Sequence, residues 1–139
     1  MEASAILLPV FVMGILTVVM MLWMVATRLP AMTAAGMSAQ DARDTSVLKS
    51  LPAKVSGIAD NYNHLFEQPT LFYAVAISIA VLGHTDALHV QCAWLFTICR
   101  IIHSLVQATV NIVLVRFSFF MIAWTALAVM IVRETLALI

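Results

Sequence analysis

The chain has 139 residues, 63% of them hydrophobic and 10% charged, with seven basic side chains, seven acidic ones and a formal net charge of +0. Soluble domains carry about 45–50% apolar and about 25% charged residues, so most of this chain does not face water, in keeping with a mean hydropathy of +1.04. The charge balance gives no basis for a nucleic-acid partner, and the length bounds the chain to one domain.

In chain order, no charged residue stands between Glu2 and Arg28. Crossing a hydrocarbon core takes roughly 20 apolar residues, so a first span is expected over about 4–27. A signal peptide would carry basic residues before its apolar core; this segment carries Glu2, and a stable anchor is the better reading. Residues 28–55 form the clearly polar region, with Pro30, Gly36, Pro52 and the charges Asp41, Arg43, Asp44, Lys49 and Lys54, and read as a loop. A second span, polar in its first half, is expected over about 56–83. The stretch GHTDALH then makes a turn, with His84 and His89 read as solvated. A third span follows over 88–108 and a fourth over 112–136, divided only by the weak turn signals Thr109 and Asn111. Length requires that division: one helix from Leu88 to Ile139 would run about 78 Å at 1.5 Å per residue, far more than a bilayer.

The fold class expected is therefore an all-α integral membrane protein, a four-transmembrane-helix bundle forming a single domain over 1–139. Arg28, Arg43, Lys49 and Lys54 lie in the first loop and Arg116 near the third, whereas the second turn has no Lys or Arg. The positive-inside rule then puts both termini outside the cytoplasm, with Arg133 as the one exception, and the membrane expected is a bacterial inner membrane.

The stretch Asp60 to Phe72, DNYNHLFEQPTLF, sets a polar segment against an apolar run. Asp60, His64, Glu67 and Leu71 fall at spacings of four, three and four, one stripe of a continuous helix. Pro69 withholds a backbone donor from the Leu65 carbonyl and favours a kink. Asp60, Asn61 and Asn63 also read simply as caps and solvating groups at a helix start. In the third span Arg100, His103 and Gln107 lie three and four apart, again on one face. A lone intramembrane arginine costs at least ~2.5–3.5 kcal/mol near the bilayer centre, so Arg100 is expected to face Glu67. The pair is either a structural lock between helices or part of a polar pocket lined by Asn63, His64, Glu67, Arg100, His103, Gln107 and Arg116. Such a pocket suits a small anionic or zwitterionic ligand, because arginine binds carboxylates in a bidentate fork and Glu67 can accept from an ammonium. His64 and His103 lack partner ligands at metal spacing, so no metal is expected. Cys92 and Cys99, seven apart on one helix face and separated by about 10 Å of rise, cannot pair with each other. Both read as small apolar fillers, and the nine methionines as packing or lipid-facing residues.

EQPTLFYA after a polar helix start, then RIIHSLVQ, then RFSFF, resembles the MAPEG family, the membrane-associated proteins of eicosanoid and glutathione metabolism. In motif the chain is most like the microsomal glutathione transferase-like members. The resemblance runs from the first span to the fourth. It implies a homotrimer with glutathione as co-substrate, bound between neighbouring subunits toward the cytoplasmic side. It further implies a glutathione-dependent transferase or peroxidase that takes a lipophilic small molecule from the membrane lipid. Glu67 would hold the glutathione amino end, Arg100 and His103 would shape the pocket, and Arg116 would be the catalytic residue that stabilises the thiolate. A cation beside a thiol lowers its pKa from about 8.5. The chain also departs from the family pattern. Asp60 stands where many members have Arg, His64 where they have Asn, and Gln107 where many enzymes have Tyr. Two other classes of function are therefore carried alongside: a non-catalytic lipid-binding or accessory subunit of a larger membrane complex, and a small proton-coupled exporter using Glu67.

Overall fold

A computed structural model describes residues 2–139, and among the described residues there is no strand. Helix α1 is Ser4–Ala34, α2 is Ala53–His64, α3 is Gln68–Leu82, α4 is Ala87–Ala108 and α5 is Val113–Leu138. Helices α2 and α3 together make one span, so four rods are long and apolar enough to cross a membrane: Ser4–Ala34, Ala53–Leu82, Ala87–Ala108 and Val113–Leu138. They run up and down. One end of the bundle carries residues 35–52 and the turn 109–112 and is called the loop end. The other, the terminal end, carries the turn 83–86 with Ser4 and Leu138.

Helix α1 outruns its expected end at residue 27 by seven residues. At 1.5 Å per residue it is about 46 Å long, against about 30 Å of hydrocarbon, so the turns after Arg28 emerge where backbone and charge can meet water. Ile6, Pro9, Met13, Leu16 and Met20 are its buried residues in the span, at alternating spacings of three and four. That is the narrow seam of a helix with one neighbouring face. The opposite side, with Phe11 at 69% exposure and Leu8, Ile15, Val18 and Leu22 also exposed, is a surface only lipid or another chain tolerates. Two short 3-10 turns, Asp41–Arg43 and Val47–Ser50, fold the polar loop back toward α2. Hydrogen bonds from Ser38 hold the Asp41 carboxyl below its usual range, and those from Ser46 do the same for Asp44.

The core draws on all the spanning rods, with Ile6, Met13 and Met20 of α1 and Leu127 and Met130 of α5 buried in it, and across it Phe72 of α3 stacks on Phe96 of α4 at 4.2 Å and 12°. Ala76, Ile79 and Ala93 are buried around them. Helix α5 lies on α4 through Ala123, Ala126, Leu127 and Met130. Small residues matter at such contacts because association within lipid depends on close packing rather than on a hydrophobic drive. At the loop end α2 approaches α4 closely: a Cβ on Gly57 would sit 3.4 Å from the Gln107 carbonyl oxygen. The α4–α5 turn is made by Asn111, whose φ of 50° is left-handed and whose N–H donates to the Val106 carbonyl at 2.7 Å. Asparagine is among the few residues other than glycine that enter this conformation readily.

The terminal end is more ordered than the sequence suggests. Gly83, with φ 74°, closes α3, and Asp86 caps α4 by accepting the His89 N–H at 2.8 Å. Arg133 grips the same carboxylate with two bonds, 3.1 and 2.6 Å. These bonds from Arg133, followed by that from the His89 N–H, hold the Asp86 carboxyl well below the usual carboxylate range. Neither turn histidine is simply solvated. His89 is 4% exposed, with Nδ1 at 3.1 Å from the His84 carbonyl, and His84 Nδ1 meets Glu134 Oε1 at 2.6 Å. The reason is the return of α5 to this turn, which supplies Arg133 and Glu134 from 47 and 50 residues away.

Candidate functional site

The loop-end site begins with the break in the second span. Pro69 cannot donate to the Leu65 carbonyl, and α2 gives way at His64 to a non-helical link before α3 starts at Gln68, with the proline in its first turn. Proline suits a first turn, where its missing N–H would have had no partner. Glu67, at φ −96° and ψ −100°, is the residue that leaves helical geometry. The stripe expected through Asp60, His64, Glu67 and Leu71 is therefore interrupted. Residues 60–63 lie in the last turns of α2, which begins at Ala53, and not at a helix start. Asn61 is 0% exposed, and neither polar atom of its side chain has a partner.

Arg100 enters from α4 at 1% exposure. Nη1 lies 3.4 Å from Gln68 Oε1, Nη2 lies 3.4 Å from the His64 carbonyl oxygen, and Nε is buried without a partner. The ion pairs among the described residues join His84 to Glu134, His89 to Asp86 and Arg133 to Asp86. Glu67 and Arg100 thus do not pair, contrary to the expectation from their positions on neighbouring spans. The break leaves Glu67 exposed while Arg100 is enclosed. Gln68 stands between two donors: its amide oxygen faces Arg100 or, with the amide turned over, lies 3.3 Å from Trp124 Nε1.

A cavity of about 250 Å³ opens beside this arginine. His64, Glu67, Arg100, His103 and Arg116 all line it, and sequence reasoning singled out each of them. Gln107 does not line the cavity; buried behind it, its Oε1 is 3.3 Å from His64 Nδ1. Asn63 belongs elsewhere. It lines a separate opening at the loop end with Arg28, Lys49, Asp60 and Asn111. Four lining residues went unlisted in the sequence: Gln68, Val113, Phe117 and Phe120. The RFSFF run beginning at Arg116 was the available signal: Phe120, four beyond the arginine, shares its side of a helix, and Phe117 lies about 100° round from it. His103 is buried, with Nδ1 lacking a partner and its ring 6.4 Å from that of Phe120.

Chemically, the cavity combines two guanidinium groups, one carboxylate and two imidazoles on its polar side with aromatic rings from α5 on the other. With neutral histidines, Arg100, Arg116 and Glu67 sum to a single positive charge. The guanidinium buried deepest faces only neutral oxygens at long range. This arrangement can receive an anionic group at depth and an ammonium at the more open Glu67 rim.

Comparison with known proteins places the chain in a class. The MAPEG family model matches residues 6–135, nearly the full length, and the chain belongs to the MAPEG family. It is accordingly an integral, multi-pass membrane protein built from four spanning rods. No curated protein and no solved structure matches it. Among the described residues no group of His, Cys, Asp and Glu side chains is arranged to hold a metal.

Proposed function

We propose that the loop-end cavity binds glutathione and that the protein is a membrane glutathione transferase or peroxidase acting on lipophilic electrophiles. The observation that carries this reading is Arg100, 1% exposed, without a carboxylate partner and lining a cavity. A buried guanidinium held only by two 3.4 Å contacts to neutral oxygens has most of its hydrogen-bonding capacity left for an anion.

The residues fit the groups of the tripeptide. Arg100 is suited to one carboxylate, and Glu67 at the open rim to the ammonium. Arg116 is suited to the sulfur, since a neighbouring cation favours thiolate over thiol. Glutathione would supply a sulfur nucleophile. The chain would hold it, keep the thiol deprotonated through Arg116, and present Phe117 and Phe120 to an apolar co-substrate. A cavity of 250 Å³ is smaller than the roughly 300–1,000 Å³ that encloses a drug-sized ligand. In the homotrimer proposed for this family member, a neighbouring copy closing over Glu67 would complete it. The exposed apolar sides of α1 and α5 leave ample surface for such assembly.

The loop end is taken as cytoplasmic. Arg28, Arg43, Lys49, Lys54 and Arg116 gather there. Arg133 at the terminal end ceases to be an exception in energetic terms, because Asp86 neutralises it in place.

A second reading, a non-catalytic lipid-binding or accessory subunit, is favoured by one separate feature. A groove of about 440 Å³ between α1 and α3, lined by Val10, Phe11, Gly14, Leu65, Phe66 and Ile77, would take an acyl chain. An exporter would need its titratable carboxylate enclosed in the span, and Glu67 is exposed.

The test is titration calorimetry of the detergent-purified protein with glutathione, beside Glu67→Gln and Arg116→Ala. Saturable binding that weakens at least fivefold in Glu67→Gln, with thiolate absorbance lost in Arg116→Ala, is the expected result. No heat at millimolar glutathione would overturn the reading and leave the lipid-binding one.

A further inference from the structure

At the terminal end, far from Arg100, a groove of about 220 Å³ opens between α3 and α5. Its walls are apolar, with Ala74, Val75 and Ile131 among them, but three polar side chains also line it: Ser78, Glu134 and Thr135. Each is committed in the same sense. Ser78 Oγ donates to the Ala74 carbonyl at 2.8 Å, and Thr135 Oγ1 donates to the Ile131 carbonyl at 2.8 Å. A hydroxyl has one hydrogen, so what these two offer the groove is lone pairs. Glu134 has a side chain only 10% exposed; Oε1 is taken by His84, and Oε2 is buried with no partner.

Thr85 Oγ1 in the neighbouring turn has no partner but does not line the groove, and two other nearby donors are engaged elsewhere. Arg133 is forked onto Asp86, and His89 Nδ1 faces the His84 carbonyl. The groove therefore offers two hydroxyl acceptors and, enclosed in its wall, the unpartnered Oε2 of the Glu134 carboxylate, with no free donor among its lining side chains. Leaving a buried acceptor unmatched costs about 1–3 kcal/mol, and more when it is charged. Ionisable groups inside a spanning segment usually mark a site for that reason.

We propose that this groove binds an amphiphile carrying a protonated amine, its ammonium seated on Glu134 Oε2 with Ser78 and Thr135 as neighbouring acceptors and its apolar tail along α3 and α5. An ammonium has three donors and the complementary charge, and a hydrogen bond to an ionised acceptor is about twice as strong as a neutral one. A neutral alcohol of the same chain length brings one donor and no charge, and an anionic amphiphile without an ammonium would be repelled.

The experiment is native mass spectrometry of the full chain released from neutral detergent, with dodecylammonium, dodecanol and a single-chain ethanolamine phospholipid as probes. Dodecylammonium should bind saturably and at least tenfold more tightly than dodecanol. Glu134→Gln should erase that preference, Thr135→Val should weaken ammonium binding severalfold, and Glu67→Gln at the opposite end should leave it unchanged. Retention of the ethanolamine lipid as well would identify a membrane headgroup as the source of the ammonium; its exclusion would identify a free lipophilic amine. Equal binding of amine and alcohol would overturn the proposal, as would unaltered ammonium binding in Glu134→Gln or a loss in Glu67→Gln. If Glu134→Gln fails to fold, Thr135→Val with Ser78→Ala decides it, since full affinity in that double variant would also overturn it.

Discussion

Arg100 on α4 donates through Nη2 to the carbonyl oxygen of His64, 3.4 Å away, at the residue where α2 ends. The same carbonyl already accepts the Glu67 N–H at 3.3 Å, so a second lone pair serves the guanidinium. The helix break thus gives the arginine a weak neutral partner in place of a carboxylate. Even a buried ion pair is often replaced by well-packed apolar side chains at no cost or with a gain of about 1–4 kcal/mol, and Arg100 lacks the compensation such a pair has. Arg100→Met should therefore unfold at the same temperature as the parent or higher, while anion binding in the loop-end cavity disappears. Thermal unfolding in detergent and calorimetry would read the two effects. A lowered unfolding temperature with binding intact would make the arginine structural.

The Asp86–Arg133 fork carries a pH dependence. A carboxyl whose folded pKa is depressed contributes stability above its unfolded pKa and loses it as the pH falls through the folded value. With the folded value far below the ordinary one of about 3.9, the contribution begins to fade near pH 4 as the unfolded chain takes up protons. The Asp86 side chain is 44% exposed, so solvent screening limits the pair to about 1 kcal/mol or less. Asp86→Asn keeps a capping side chain and removes the charge. It should lower the unfolding temperature at pH 7, and the gap to the parent should narrow by pH 3.

Gly57 marks a close approach of α2 to α4. Its missing Cβ would stand 3.4 Å from the Gln107 carbonyl oxygen, an ordinary contact. Gly57→Ala should therefore be tolerated and gain up to about 1 kcal/mol of helix propensity. Gly57→Leu overfills the crossing and should cost about 1–3 kcal/mol. It should also shift His64, which lies two turns along the same helix and touches Gln107. Equal stability of the two variants would show that α2 is free to move away.

Phe72 is fully buried and stacked on Phe96 at 4.2 Å. In a water-soluble core, truncation to alanine costs about 3–5 kcal/mol. Part of that cost is transfer to water, which is absent where the alternative environment is lipid. Phe72→Ala should therefore cost less than 3–5 kcal/mol, with the loss residing in packing, and Phe72→Leu should recover most of it. A steric-trapping or denaturant measurement in bilayers would check the magnitude, and a loss above this range would mean that the cavity collapses onto Arg100.

The sequence by itself determined the four-rod architecture, because membrane spanning is written in local composition: long uncharged runs, a polar loop and a left-handed-tolerant Asn111. It also determined that Arg100, His103 and Gln107 share a face of α4, since spacings of three and four fix a face in any unbroken helix. Only the tertiary structure decided what that face meets. The break at residues 65–67 uncoupled Glu67 from Arg100, while the packing of α2 set Asn63 on a separate opening. Sequence spacing cannot register such a break, because the stripe is counted as though the helix were continuous. The return of α5 to the α3–α4 turn likewise supplied partners for Asp86 and His84 from 47 and 50 residues away. Those contacts depend on helix length and crossing, quantities that the whole bundle sets rather than any short window of sequence.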